Sequence, residues 1–288
     1  MINLYRIEKA QAISITMPEM SSLDAITRQL PDGYYSTFRT YDACTRVLGL
    51  KTHLRRLFDP VTAPDVDASE LRRRLIALLE PFRPNEARVR VMMTKQGQVY
   101  VAIEPLKALP TDIYERGVRV ETADIQRESP RLKSTAFIGA SEFERKHIAQ
   151  EGVFEALLVK NGRILEGMTS NFFYVMNLRA EQNEERSSRR MKTKRYVLCT
   201  AQSDVLLGVT RRTVMHLARG RGLEVRYRAL KLSQLSDAAE AFITSSSRGV
   251  VPVIQIDEVT IGQGRPGQIT QMLMSTYNEY VLEHAERI

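Results

Sequence analysis

Apolar positions divide the chain into short, distinct elements. Ala12 to Met17 and Tyr34 to Tyr41 follow the two-residue rhythm of strands. Between them, the polar stretch Pro18 to Gln29 accommodates a short helix. Asp32-Gly33 is a turn, and Asp42-Ala43 turns the second strand back, so Thr45 to Leu50 is expected as its partner. Lys51 to Phe58 reads as the start of a helix with His53, Leu54 and Leu57 inward. Asp67 to Phe82 is a longer one. Leu71, Leu75, Leu78 and Leu79 form its apolar face, Asp67 and Glu70 have the spacing of a capping box, and Pro81 ends it. Ala87 to Met93 and Gln98 to Glu104 predict a hairpin around Lys95-Gln96-Gly97, with Val118 to Val120 continuing its sheet. Arg88 and Arg90 alternate with Val89 and Val91, so they share one face, turned to water or to an anion.

Ala123 to Pro130 is polar and ends in Ser-Pro, as an interdomain linker does. Ala140 to Gln150 reads as a charged helix stopped by Gly152. Phe154 to Lys160 is a strand, turned by Asn161-Gly162. Leu178 to Arg195 carries seven Arg or Lys and three Glu, with almost no apolar content. It reads as a hairpin extension, solvated or in contact with an anion such as nucleic acid. Tyr196 to Cys199 and Leu223 to Tyr227 are strands, and a helix runs from about Thr210 to about Ala218. Leu232 to Asp237 is a helical turn, Ala241 to Ile243 a buried strand, and Pro266 to Glu283 an amphipathic helix with Ile269, Leu273, Tyr277 and Tyr280 on one face.

With 288 residues, two domains are expected, and 43% hydrophobic content suffices for a substantial core. The net charge of +8 suits nucleic acid, carboxylates or phosphates. Aromatic residues do not cluster with the basic ones, which argues against a single-strand binder. The two cysteines, Cys44 and Cys199, and four scattered histidines show no metal spacing, so no metal is expected. A reducing, cytoplasmic setting follows from the cysteines and from the absence of a signal pattern or a long apolar run. No membrane contact is expected.

The richest stretch is Arg163 to Val175. Glu166-Gly167-Met168-Thr169-Ser170-Asn171 places an acid, a glycine and small polar groups between two apolar flanks. A second hairpin turn so soon after Asn161-Gly162 is not needed by the chain, which raises the case for a ligand. Leu206-Leu207-Gly208-Val209-Thr210-Arg211 puts a glycine before a helix start, where free N–H groups and the positive dipole end suit phosphate. Thr244 to Ser247 leaves an apolar strand with three serines in a row, which reads as a flexible loop or as a hydroxyl-rich binding turn.

Glu-Gly-x-x-Ser-Asn-x-Phe resembles the signature of the class IV aminotransferases, pyridoxal-phosphate enzymes of fold type IV. These include branched-chain and D-amino-acid aminotransferases and aminodeoxychorismate lyase. His53-Leu54-Arg55-Arg56-Leu57 is similar to the family's His-x-x-Arg-Leu, Leu206 to Arg211 to its Leu-x-Gly-Ile-Thr-Arg, and Thr244 to Val253 to its Thr-x-Ser/Thr and Val-x-Pro-Val run. The resemblance spans residues 53 to 253. It implies a mixed α/β (α+β) fold of two domains: a smaller N-terminal α/β domain, 1–123, a linker, 124–130, and a larger C-terminal pseudo-barrel domain, 131–288. It implies pyridoxal 5′-phosphate as cofactor and Lys133 as the Schiff-base lysine, by its place after the linker and before Glu166. Arg56, Leu207, Val209, Thr210, Ser245 and Ser246 then surround the phosphate. Glu166 faces the pyridine nitrogen, with Ser170 and Asn171 beside it. Tyr35, Thr37, Arg88, Arg90, Ser247 and Arg248 become candidate substrate contacts. The implied activity moves an amino group between an amino acid, of branched-chain type, and a 2-oxo acid, in a homodimer. Two other readings stand beside it: an aminodeoxychorismate lyase releasing pyruvate, and a non-catalytic homologue binding an anion or nucleic acid through the basic insert. The subgroup signals conflict. Tyr35-Ser36-Thr37-Phe38-Arg39 is nearer the lyase, whereas Arg88-x-Arg90 is nearer the branched-chain enzymes.

Overall fold

The computed structural model of the chain describes residues 2–9, 11–17, 22–178 and 195–288. The interior of the basic insert therefore lies outside the described residues. The N-terminal part is built on a five-stranded antiparallel sheet in the order Ala12–Ile15, Asn3–Ile7, Val99–Pro105, Ala87–Thr94, Gly33–Arg39. Both faces are covered, which explains why its central strands lack a clean alternation. One face packs Val89, Val91 and Val101 against Leu54 and Leu57 of helix Leu50–Phe58 and Leu71 and Leu75 of helix Ala68–Leu79. Asp67 caps the latter, accepting from the Glu70 N–H at 2.7 Å. The other face packs Tyr35 and Met92 against Leu23, Ile26 and Ile138.

Two expectations are corrected here. Thr45 to Leu50 is not a partner strand for Tyr34 to Tyr41. Asp42, Ala43 and Cys44 all take positive φ (54°, 51° and 62°). The Glu86 carboxylate holds this turn, accepting from the Ala43 and Cys44 N–H groups at 2.9 and 3.2 Å. Only Arg46–Val47 is extended; Arg46 keeps a single antiparallel bridge to Tyr41, and the ladder of this short strand is with Glu286–Arg287. Gly49, at φ 69°, then opens the next helix at Leu50. Nor does Val118 to Val120 continue the N-terminal sheet. Strand Val118–Ala123 lies parallel to Glu155–Lys160 and to Gly249–Ile256, in the second sheet. The chain thus changes sheet between Pro105 and Val118, ahead of the polar 124–130 stretch.

The second sheet has ten strands. Six of them close into a ring: Asn171–Leu178, Ala238–Ser245, Gly249–Ile256, Val118–Ala123, Glu155–Lys160 and Arg163–Gly167. One residue pair, Glu166 opposite Asn171, joins the last strand to the first. Phe172, Tyr174, Leu157, Ile164, Ile243 and Val253 belong to one apolar core of this barrel. A second core lies where Phe173, Leu198 and Phe242 meet helices Val209–Gly220 and Gln268–His284 through Val214, Leu273 and Tyr277. Among the described residues no helix is long and apolar enough to cross a membrane.

Candidate active site

A cavity of about 260 Å³ opens between the N-terminal sheet and the barrel. All of the site residues predicted from sequence line it except Leu207. That side chain is 41% exposed. Its carbonyl nonetheless reaches the site, accepting from Arg56 Nη2 at 2.6 Å.

The seam of the barrel supplies the acid. Glu166-to-Asn171 is both a tight hairpin and a cavity wall, so the choice between turn and site dissolves. Asn171 Nδ2 donates to Glu166 Oε2 at 3.0 Å and to the Leu206 carbonyl at 2.7 Å. The Leu206 N–H donates back to Glu166 Oε2 at 2.9 Å. On the other oxygen, Arg127 Nε donates to Oε1 at 2.8 Å, and Arg127 Nη2 holds the Met168 carbonyl at 2.8 Å. Burial pushes the Glu166 carboxyl up from its ordinary range, while Arg127, the Leu206 N–H and Lys133 oppose the shift. Two glycines make the arrangement sterically feasible. A Cβ on Gly167 would lie 2.1 Å from Ser170 Oγ, and one on Gly208 would lie 2.2 Å from Asn171 Oδ1.

Lys133 sits where the 133–135 stretch runs beside the first strand of the cavity wall. Its carbonyl accepts from the Tyr35 N–H at 2.9 Å, and the Thr135 N–H donates to Gly33 O at 2.9 Å. The Lys133 amine lies 4.9 Å from the centre of the Tyr35 ring. Burial, then the charges of Arg56, Arg127 and Arg90, hold it well below the usual lysine range, with Glu166 pulling the other way. The same burial and cationic neighbours favour the uncharged amine, the form that can act as a base.

The anion end is assembled from two helices. Gly49, at the start of helix Leu50–Phe58, is pressed against Val209, at the start of helix Val209–Gly220: a Cβ there would lie 2.7 Å from Val209 Cγ1. This contact brings Arg56 to the N-terminus of the second helix. Burial and the neighbouring Arg212 lower the Arg56 guanidinium to about 10. Ser245, Ser246 and Ser247 come to the cavity at the end of strand Ala238–Ser245.

Several participants were missed in the sequence. Arg127 lay in the stretch read as a linker. Asp24 and Arg145 lay in segments read as structural, and Glu155 passed as a strand residue. The Asp24 carboxylate lies between Arg90 Nη1, at 2.6 Å, and Arg145 Nη1, at 2.8 Å. Burial is the largest single influence and raises it, but these arginines together outweigh that and hold it below the usual carboxylate range. Glu155 accepts from Arg248 Nη2 at 2.6 Å and from the Thr169 N–H at 2.8 Å. For Arg127 the only sequence signal was its type, since a buried arginine demands an acid and the acid lies far away in the chain.

The chain's sequence matches the family profile described as amino-transferase class IV over residues 33–256. The chain belongs to the class IV aminotransferases. It is 28% identical over 271 residues to a putative branched-chain-amino-acid aminotransferase of Methanocaldococcus jannaschii, covering 86% of each chain. It is 27% identical over 280 residues to a D-alanine aminotransferase of Bacillus licheniformis, covering 90% of this chain and 91% of that one. Among solved structures it resembles a putative branched-chain amino acid aminotransferase from Thermotoga maritima, with a TM-score of 0.73 and 25% identity over 98% of this chain and 96% of that one. Class IV aminotransferases work with pyridoxal phosphate, and the cavity fits that group. His53 Nε2, Arg127 Nη1, Ser170 Oγ and Thr244 Oγ1 are buried there without a hydrogen-bond partner. Such atoms are costly unless a ligand completes them. The lining also offers a cationic end at a helix start, an acid and a buried amine, in one space.

Proposed function

We propose that the chain is a pyridoxal-phosphate-dependent aminotransferase acting on an amino acid and a 2-oxo acid. The observation that carries this is the convergence of the Lys133 amine, the Glu166 carboxylate and the Arg56-helix anion end on one cavity. Arg56, the Val209 and Thr210 N–H groups, and Ser245 and Ser246 hold the phosphate, with the Leu207 carbonyl fixing Arg56. Glu166 faces the ring nitrogen and keeps its proton in place. Ser170 and Asn171 hold the loop. When bound, pyridoxal phosphate supplies the aldehyde that takes up the amine and the electron sink that stabilises the carbanion. The protein moves the proton. Lys133 Nζ, whose uncharged form burial and cationic neighbours favour, would take it from the substrate α-carbon and return it to the aldehyde-derived carbon of the cofactor. Tyr35, Thr37, Arg88, Arg90, Ser247 and Arg248 face the substrate in this reading.

The branched-chain preference suggested by the relatives belongs to this proposal only as a substrate to be tested. The cavity offers an aliphatic side chain just two aliphatic neighbours, Leu206 and Val209. The homodimer implied by the resemblance remains part of the reading, and sedimentation across concentrations checks it. The deciding experiment mixes the cofactor-loaded protein with single amino acids of both hands, without an acceptor. An aminotransferase converts its bound cofactor spectrally in that half reaction, and Lys133→Ala loses both the lysine-linked visible band and the conversion. Wild-type protein that shows no conversion with any amino acid, yet releases pyruvate from aminodeoxychorismate, would establish the lyase instead.

A further inference from the structure

Four guanidinium groups line the cavity besides Arg56 and Arg127: those of Arg88, Arg90, Arg145 and Arg248. Each is anchored to an acid along one edge. Arg90 and Arg145 share Asp24, Arg88 Nε meets Glu104 Oε1 at 2.7 Å, and Arg248 Nη2 meets Glu155 Oε2 at 2.6 Å. Further bonds fix the planes. Arg90 Nε donates to Thr37 at 3.0 Å, Arg145 Nε to Ser141 at 3.0 Å, and Arg248 Nε to Ser245 at 3.2 Å. Among the described residues, Nη2 of Arg90 and of Arg145, Nη1 of Arg248 and both Nη groups of Arg88 make no hydrogen bond. The result is a set of donor edges, rigidly held at Arg90, Arg145 and Arg248 and held by an ion pair alone at Arg88. Planar forks of this kind match carboxylates bidentately and lose little freedom on binding.

One α-carboxylate cannot use all of these edges. Nor can an aliphatic side chain stand in for the remainder. Among the described residues, Leu206 and Val209 are the only aliphatic side chains of the lining, and both lie at the end proposed for the cofactor, beside Glu166 and at the helix start. A leucine or isoleucine side chain entering here would strip water from guanidinium N–H groups and offer nothing back.

We infer that the amino acid and 2-oxo acid used at this site carry a second carboxylate on the side chain, received by the Arg88, Arg90 and Arg145 wall around Asp24, and that branched aliphatic substrates are rejected. The inference rests on the aminotransferase reading for its turnover but not for its binding.

Two measurements test it, chosen so that the two readings fail separately. The first is calorimetric titration of the cofactor-loaded protein with glutarate and with 4-methylpentanoate. Glutarate is expected to bind at least about tenfold more tightly, with a preference that narrows as salt is raised. The second is turnover of both enantiomers of glutamate, aspartate, glutamine, leucine and isoleucine. An acidic amino acid is expected to exceed leucine by roughly 100-fold in kcat/KM. Equal or tighter binding of 4-methylpentanoate, leucine or isoleucine turned over as fast as the acids, or glutamine matching glutamate would overturn the inference. Preferential glutarate binding without turnover of any amino acid would uphold this wall and remove the aminotransferase reading instead. Arg145→Gln should narrow the glutarate preference by about tenfold, and a variant that keeps the full preference removes Arg145 from the wall. Should Arg145→Gln fail to fold, Arg88→Gln provides the same ratio.

Discussion

Replacing Arg127 with methionine removes a buried charge and leaves its partner in place. The two side chains are 5% and 2% exposed and meet at 2.8 Å. Breaking such a pair typically costs about 3–5 kcal/mol, because the surviving charge is uncompensated. Glu166 answers by taking up a proton. Its carboxyl is already pushed up by burial, and Arg127 is the largest opposing influence. The sign follows. With Arg127 gone, the carboxyl rises further and keeps its proton to higher pH. A neutral acid no longer secures the proton on a ring nitrogen. Arg127→Met should therefore lower the melting temperature by about 6–10 °C, at roughly 2 °C per kcal/mol for a chain of this size. It should also lower kcat beyond any change in cofactor affinity. Differential scanning fluorimetry of the cofactor-free and loaded proteins reads the first effect, and steady-state kinetics at saturating cofactor the second. The pair's coupling is isolated by Glu166→Gln and the double variant, which should lose at least about 1.5 kcal/mol less than the summed singles. A melting temperature within about 2 °C of wild type, together with additive double-variant losses, would show that Arg127 does not govern Glu166.

Gly208→Ala places a methyl group 2.2 Å from Asn171 Oδ1. It should cost about 1–3 kcal/mol of stability and weaken cofactor retention, read by melting and by dialysis; a variant as stable and as well loaded as wild type would refute the fit. Arg56→Gln should raise the cofactor dissociation constant by about 10–100-fold through the lost charged hydrogen bonds. After burial, Arg56 is also the strongest charge holding Lys133 below its usual range. Its removal lets the lysine hold a proton to higher pH, so the acidic limb of the kcat/KM profile should move upward, and a limb that stays or moves downward contradicts the assignment.

Much of the site was legible because its motifs are local. His53 to Leu57 gives one helical turn, Glu166 to Asn171 one hairpin, and Gly208 to Thr210 one helix start, and each presents its chemistry on a face set by backbone geometry. What escaped was pairing between distant segments. Asp24 and Arg90 are 66 residues apart, and Arg127 and Glu166 are 39 apart. No periodicity relates them. Arg127 was further disguised because the polar composition of 124–130 is that of a linker, although its guanidinium lies 3.8 Å above the Phe137 ring. Thr45 to Leu50 was misread because alternation cannot reveal three successive left-handed residues, which here depend on a carboxylate from position 86. The sheet membership of Val118 was hidden for another reason: parallel pairing to Glu155–Lys160 and Gly249–Ile256 requires partners that follow much later in the chain.

The single residue pair that joins the last barrel strand to the first has a consequence for how the protein matures. Most of the cylinder can zip together through long ladders, but its closing seam is fastened mainly by Glu166, Asn171 and Leu206, at the wall of the cavity proposed to take the cofactor. On that proposal, loading and closure draw on one set of bonds. Amides along 164–174 should exchange hydrogen faster in the empty protein than in the loaded one, while the neighbouring ladders change little, making the prosthetic group the clasp of the hoop as well as its reagent.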